Sequence, residues 1–412
     1  MSNKVFSGTY RFSQYKEKLI SKGADKLPRV VSIPTFRDRI TLRALCNVLS
    51  KTYESDIDSR LPQHVIKELR DEIKSGNFTH FIKLDVKSFY PSIPHDLLFA
   101  RLRKRIRKSE IKSLIESAVK TPTVPYPDRG RPTLSRGVPQ GLSISNLLAE
   151  IYLSSFDSWA KNIPNSFYVR YVDDILMLVR GNPLPVFNEM RDRLFKDYSL
   201  ECYDLNSNEK SACGDIGSRF QFLGYEFFCG NAGIKEESIR RIEASLAKIF
   251  TSYKYRCASA LSLRHEDDQI KSLDLAWKVF LWRLNLRISG CLFDGIRRGW
   301  VFYFSQIDDS GLRQLHHLDK TVRVLSQRFS VDFKVNELKS FVRSFHEASR
   351  SNLKHRYIPN FDSSSISEQR ELLGLYGLEK VAEMSDDRIV REFRHRIRRE
   401  TSLLELDIQG KS

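Results

Sequence analysis

Tyr168-Val169-Arg170-Tyr171-Val172-Asp173-Asp174-Ile175-Leu176-Met177 sets two adjacent carboxylates between two runs of apolar, β-prone residues. The pattern predicts a hairpin, with strands over 167–172 and 175–179 joined by Asp173-Asp174. An acidic pair in such a connection is more often a solvated turn than a cation site. Between apolar strands, however, the two like charges repel, and a bound cation would relieve that repulsion.

A second carboxylate has a similar setting upstream. Phe81-Ile82-Lys83-Leu84-Asp85-Val86 alternates, which puts Ile82, Leu84 and Val86 on one face of a strand and Lys83 and Asp85 on the other. Residues 81–228 read as mixed α/β around these two places. They include a basic helix near 95–112 and a loop over 121–139 that carries Pro122, Pro125, Pro127, Gly130, Pro132, Gly137 and Pro139, followed by a helix over 143–161.

Residues 1–75 read as mostly helical with one extended stretch, Arg29-Val30-Val31-Ser32-Ile33-Pro34. Arg37-Asp38-Arg39 then opens a helix through Ile40, Leu42, Leu45, Val48 and Leu49. Beyond residue 235 the spacing is almost wholly helical, as in Ile239, Ile242, Leu246 and Ile249 and in Leu312, Leu315, Leu318, Val322 and Leu325. A basic helix carrying Arg391, Arg394, Arg396, Arg398 and Arg399 follows. The class expected is α+β.

Composition narrows the partners. Of 412 residues, 68 are Lys or Arg and 51 are Asp or Glu, a surplus of 68 − 51 = 17 positive charges. A surplus on that scale suits a phosphate-backbone partner, because each neutralised phosphate releases counterions. The six cysteines are scattered with no CxxC spacing, which argues against a zinc ribbon or a disulfide framework. No apolar run is long enough to cross a bilayer, and the amino end has no apolar core or small-residue cleavage site, so a cytoplasmic protein without membrane association is expected.

Carboxylates gathered on strand ends suit phosphoryl transfer onto a hydroxyl. That reaction uses two divalent ions about 3.5–4 Å apart, one at the attacking oxygen and one at the leaving group. Hard cations of this kind are held by carboxylate and phosphate oxygens.

The order of further motifs carries a resemblance. Leu84-Asp85-Val86-Lys87-Ser88-Phe89-Tyr90-Pro91-Ser92-Ile93 resembles the first palm motif of reverse transcriptases. Arg136-Gly137-Val138-Pro139-Gln140-Gly141, followed by Ser145-Asn146-Leu147-Leu148-Ala149, is similar to their PQG motif and its helix. Tyr171-Val172-Asp173-Asp174 resembles their YxDD hairpin, and Leu205-Asn206-Ser207-Asn208-Glu209-Lys210-Ser211 the lysine-ended palm motif that follows. Phe222-Leu223-Gly224-Tyr225 is similar to their primer grip. The resemblance is specific over residues 29–230.

That family implies a right-hand polymerase, with fingers in 1–80, an antiparallel-sheet palm and embedded fingers segment in 81–230, a helical thumb in 231–330 and a basic helical extension in 331–412. It also assigns roles. Asp85, Asp173 and Asp174 would hold two Mg²⁺ ions, with Mn²⁺ as a substitute. Lys210 would lie near the triphosphate and protonate the leaving pyrophosphate. Tyr90 would block a ribose 2′-hydroxyl and so favour deoxynucleotides, against the plain alternative of a core aromatic. Gln140 would contact the incoming nucleotide, and Gly141 would let the backbone approach it. Arg29, Arg37 and Arg39 lie where fingers residues contribute triphosphate contacts, although Arg39 would equally pair with Asp38 or a helix carboxylate. Phe222, Leu223 and Gly224 would grip the primer.

Within the family the spelling is closest to bacterial enzymes. Ile33-Pro34-Thr35-Phe36-Arg37-Asp38-Arg39 is similar to a string of group II intron-type proteins, but no maturase, zinc, HNH, RNase H or integrase pattern follows. The segment from Asn285 to Cys291, running on through Arg297-Arg298-Gly299-Trp300 to Phe304, resembles the thumb of defence-associated (antiphage) reverse transcriptases. That subgroup implies a dedicated non-coding RNA as partner, alongside an RNA template, deoxynucleotides and a DNA product. Retron-type and group II intron-type polymerases, and a maturase-like RNA-binding protein, stand as alternatives. Association into a homo-oligomer or with a partner protein stays open.

Overall fold

Among the described residues, one apolar cluster gathers side chains between Tyr10 and Cys202 and another gathers side chains between Leu286 and Leu404. The computed structural model describes residues 2–21, 27–58, 60–127, 132–205, 210–334, 337–349, 357–378 and 381–408. Contacts group residues 1–61 and 71–218 into one unit and residues 62–70 and 219–412 into a second.

The first unit opens with α1 (Ser2–Phe6), β1 (Tyr15–Ile20), β2 (Arg29–Ile33) and α2 (Phe36–Thr52). Helix α3 (Pro62–Ser75), whose residues 62–70 group with the second unit, follows, then β3 (His80–Asp85), α4 (Phe89–Ser92), α5 (His95–Arg103), α6 (Ser109–Lys120) and β4 (Thr123–Val124). Helix α7 (Ser145–Lys161), β5 (Ser166–Tyr171), β6 (Asp174–Val179), α8 (Leu184–Tyr198) and β7 (Ala212–Asp215) complete it. Strands β5, β6, β3 and β7 form one antiparallel sheet in that order. Ile82, Leu84 and Val86 from β3, together with Tyr152, Phe156 and Leu148 from α7, are buried in its core.

Helix α2 starts where the sequence places it. Thr35 caps it by accepting from the Asp38 amide, and Leu42, Leu45 and Leu49 face the core. The extended stretch before it is one arm of a hairpin, because β2 pairs antiparallel with β1, which also pairs in parallel with β4. Strand β1 was hidden in the sequence because Tyr15-Lys16-Glu17-Lys18-Leu19-Ile20 buries only Tyr15 and shows no clean alternation. The single basic helix expected near 95–112 is two helices, broken at 104–108, where Ile106 turns into the core.

The second unit opens with a three-stranded antiparallel sheet, β8 (Phe220–Phe222), β9 (Tyr225–Phe228) and β10 (Asn231–Ile234). Long helices α9 (Glu236–Leu261) and α10 (Glu266–Ser289) come next. Strands β11 (Cys291–Phe293) and β12 (Ile296–Arg298) form a hairpin before α11 (Trp300–Tyr303), α12 (Asp309–Arg328), α13 (Phe341–Ser349), α14 (Ile366–Leu375) and α15 (Asp386–Ile408).

The almost wholly helical spacing expected beyond residue 235 is interrupted by that hairpin. Its turn is Asp294-Gly295, both at left-handed φ (55° and 68°), the Asp-Gly pair that two-residue hairpins favour. Asp294 also anchors α15, accepting from Arg394 at 2.9 Å and from Arg398 at 3.2 Å. Arg396 stacks on Tyr376 at 3.7 Å. No helix among the described residues is long and apolar enough to cross a membrane.

Candidate active site

The antiparallel sheet of the first unit brings the acidic residues together. Strands β3 and β6 pair in register from His80↔Val179 to Asp85↔Asp174, so the two aspartates face one another across the strands. Strand β5 pairs with β6 up to Tyr171↔Asp174, which leaves Val172 and Asp173 as a two-residue connection. Asp174 therefore opens a strand, and the turn is Val172-Asp173 rather than Asp173-Asp174.

Such a turn makes demands on the backbone. Val172 has φ 60°, in the left-handed region that a two-residue hairpin normally fills with glycine. A β-branched residue there stores about 1–3 kcal/mol of strain. Ser88, which follows the Asp85 strand, and Leu223 in the β8–β9 turn are also left-handed, at φ 46° and 47°.

The segment around Asp85 is fixed from three sides. Its amide donates to Ser211 Oγ at 3.2 Å, and its carbonyl accepts from the Tyr203 amide at 3.0 Å. Lys87 N donates to the Glu201 carbonyl at 2.7 Å. Lys210 precedes Ser211 and lays its Nζ 3.7 Å over the Tyr203 ring, beside the Asp85 strand. Residues 206–209 of that motif lie outside the described residues, as does Gly130 of the loop. Burial, then the Asp85 carboxylate, push the Cys202 thiol up to about 12.

Tyr90 sits between the carboxylates and α7. Its hydroxyl donates to Asn146 Oδ1 at 2.8 Å, and its carbonyl accepts from Val138 N at 2.9 Å. Burial raises its pKa, as do the nearby Asp173 and Glu150 carboxylates, while Arg29 and Arg170 oppose them. One electrostatic neighbourhood thus holds Tyr90, Asp173 and Arg29.

The loop before α7 is stitched on both sides. Gly137 N donates to the Ile93 carbonyl at 2.8 Å, and the Gln140 carbonyl accepts from Ser32 N of β2 at 2.7 Å. At Gly141 (φ 99°) a side chain would meet Val31 Cγ1 at 2.7 Å and the Ser32 carbonyl at 3.0 Å, so only glycine fits. Gln140 Oε1 and Arg29 Nε are buried with no hydrogen-bond partner among the described residues. Buried polar atoms of that kind point to a missing partner.

Arg37 and Arg39 are engaged within the fold. Arg37 pairs with Asp38 at 3.1 Å and also donates to the Arg11 carbonyl and Ser13 Oγ. Asp38 is fully buried and also accepts from the Tyr10 hydroxyl at 2.7 Å. Arg39 Nε donates to the Pro34 carbonyl at 3.2 Å, so the partner of Asp38 is Arg37, not Arg39.

Phe222, Leu223 and Gly224 lie in the second unit. Leu223 and Gly224 form the two-residue β8–β9 turn, and the Leu223 carbonyl accepts from the Tyr303 hydroxyl at 3.0 Å.

Sequence reading missed Arg170, Glu150 and Asp157. Arg170 is buried, and its guanidinium joins both carboxylates. Burial works against its charge, but Asp157 and Glu150 more than offset that, and its pKa stays raised. The signal was available, because an arginine inside a strand of apolar residues must be paired.

Among the described residues, no group of three or more His, Cys, Asp or Glu closes into a metal cage. The donor set nevertheless suits a hard divalent cation held through one or two carboxylates and completed by water and substrate phosphates. Acidic residues at adjoining strand ends, with a glycine loop packed on Pro91 and β2, suit a polymerase-class domain.

Residues 20–227, just over half of the chain, match the family described as reverse transcriptase (RNA-dependent DNA polymerase). The chain belongs to that family. It is 26% identical over 319 residues to Protein YkfC of Escherichia coli (strain K12), across 64% of this chain and 81% of that one. It is 28% identical over 168 residues to the group II intron-encoded protein LtrA of Lactococcus lactis subsp. cremoris, across 39% of this chain and 27% of LtrA. Among solved structures, telomerase from Candida tropicalis in complex with a telomeric RNA fragment superposes with a TM-score of 0.43 at 14% identity, over 91% of this chain and 67% of that one.

Proposed function

We propose that this protein extends a 3′-hydroxyl with deoxynucleotides on an RNA template, by a two-metal-ion mechanism. The observation that carries the reading is the Asp85↔Asp174 register pair with Asp173 beside it in the turn. Asp85, Asp173 and Asp174 would hold the divalent ions, which when bound supply the Lewis acidity for the attacking 3′-oxygen and the departing pyrophosphate. Lys210, already beside the Asp85 strand, would give its proton to that pyrophosphate as the new phosphodiester bond forms. The orphaned Gln140 Oε1 and Arg29 Nε support a nucleotide contact there, and Tyr90 would close the pocket to a ribose 2′-hydroxyl. Arg37 and Arg39 would act from the same fingers region. Phe222, Leu223 and Gly224 would hold the primer end.

The functional sub-domains proposed are fingers in 1–80, palm in 81–230, thumb in 231–330 and a basic extension in 331–412. A cytoplasmic location, a dedicated non-coding RNA and a role in antiphage defence belong to the same proposal. The last rests on the resemblance of the 285–304 segment. An intron-type or retron-type polymerase is the second reading, favoured by the match to LtrA.

Purified protein given primed RNA, deoxynucleotides and Mg²⁺ should extend the primer, and Asp173→Ala with Asp174→Ala should not. Sequencing the RNA and new DNA that co-purify identifies the template, and phage plating on cells carrying either allele tests the defence role. A double variant that retains full biological activity would leave an RNA-holding, maturase-like protein.

A further inference from the structure

Arg170 occupies an unusual position. It is 7% exposed, on β5, two residues before the strained turn. All five of its N–H donors are used. Nε donates to Asp157 Oδ1 at 2.7 Å, and Nη2 donates to Asp157 Oδ2 at 2.5 Å and Glu150 Oε2 at 2.7 Å. Nη1 donates to Glu150 Oε1 at 3.1 Å and to the Val172 carbonyl at 2.8 Å. That last acceptor belongs to the residue with left-handed φ.

Glu150 and Asp157 both come from α7, which also carries Asn146, the acceptor of the Tyr90 hydroxyl. The Tyr168 hydroxyl donates to Asp157 as well, at 2.7 Å. One helix therefore references the hairpin through Arg170 and the nucleotide pocket through Asn146.

We propose that Arg170 is a positioning residue for nucleotidyl transfer: clamped by Glu150 and Asp157, its guanidinium pins the Val172 carbonyl and holds the strained turn that presents Asp173. The inference rests on the reading of Asp173 and Asp174 as the reacting-site carboxylates. Lysine keeps the charge but offers three donors from one atom, and so cannot bridge two carboxylates and a carbonyl in this planar pattern. Glycine at 172 would adopt the left-handed turn without a clamp.

The test is steady-state primer extension on primed RNA with the full chain, varying deoxynucleotide and Mg²⁺. Arg170→Lys should lower kcat by about 10- to 100-fold, the scale of a misplaced catalytic group, and raise the Mg²⁺ needed for half-maximal rate while leaving the nucleotide KM unchanged. Adding Val172→Gly to Arg170→Lys should recover part of the lost kcat and of the Mg²⁺ response. A purely structural arginine gives no such recovery, so a double variant no better than Arg170→Lys overturns the proposal. So does an Arg170→Lys enzyme whose kcat and Mg²⁺ dependence lie within about twofold of the parent. Should Arg170→Lys fail to fold, as judged by circular dichroism, Glu150→Gln is read the same way. It keeps one acceptor for Arg170 and should show a smaller loss of kcat in the same direction, again relieved by Val172→Gly; unchanged kinetics overturn the proposal. Asp173→Asn is the control, because extension by that variant would defeat the carboxylate reading itself, whatever Arg170 does.

Discussion

Asp85 and Asp174 are the final register pair of strands β3 and β6, two carboxylates directly opposite one another on an antiparallel ladder. Like charges in that position are destabilising. In EDTA, Asp174→Asn should therefore stabilise the protein by roughly 0.2–1 kcal/mol, read as a higher melting temperature. Added Mg²⁺ should reverse the order by binding the folded parent more tightly than the variant. Equal Mg²⁺-induced shifts in parent and variant would show that Asp174 takes no part in cation binding.

Tyr90 presents its ring beside Asp173 with its hydroxyl tied to Asn146. Tyr90→Ala should raise ribonucleotide incorporation relative to deoxynucleotide by about tenfold or more, since the steric block is removed. Tyr90→Phe keeps the ring and should retain the preference. Single-turnover incorporation with matched nucleotide pairs measures both, and an unchanged ratio in Tyr90→Ala makes the residue a core aromatic.

Gly141 allows β2 and the loop before α7 to touch. Gly141→Ala would drive a methyl group against Val31 and the Ser32 carbonyl at a backbone φ of 99°. A loss of about 1–3 kcal/mol in denaturant titration is expected, together with a higher nucleotide KM as the Ser32–Gln140 bond is displaced. A variant as stable as the parent would mean the loop has room that the geometry denies it.

Much of this site was legible in the sequence because strand alternation and the order of motifs constrain each other. Ile82, Leu84 and Val86 point inward as the period of two requires, and Asp85 lies on the last rung of that strand, opposite Asp174. What stayed hidden was set by partners distant in sequence. Strand β1 is defined by its ladder to β2, not by its own alternation. The Asp294-Gly295 hairpin carried a local signal, an Asp-Gly pair, but long helical patterns on both sides outweighed it. Arg170 reads as one more charge until Glu150 and Asp157 arrive from α7.

Cys202, Cys213 and Cys291 have thiols pushed up to about 12 from 9.0, in each case chiefly by burial. At pH 8 these three should resist thiol reagents in the native protein, whereas the exposed Cys229 should react. Because each folded pKa is raised, the thiols contribute stability that is fully present below pH 9 and is lost as pH rises through about 12. Reagent counts with and without denaturant check the first point. Native-state modification of Cys202 at the rate of Cys229 would contradict its burial.

Helix α15 changes what the basic surplus is worth to a bound strand. Of its six arginines between 388 and 399, Arg394 and Arg398 already face Asp294, and Arg396 lies on Tyr376. A guanidinium already engaged within the fold is not available to neutralise a phosphate, and so releases none of the cations condensed along the strand. Among the described residues of the helix this leaves Arg388, Arg391 and Arg399 to face phosphates, so the helix should add about −2.1 to the slope of log binding constant against log salt for a single strand, rather than about −4.2 for six arginines. Titrating RNA affinity against KCl, with and without Arg388→Gln, Arg391→Gln and Arg399→Gln, reads that slope directly.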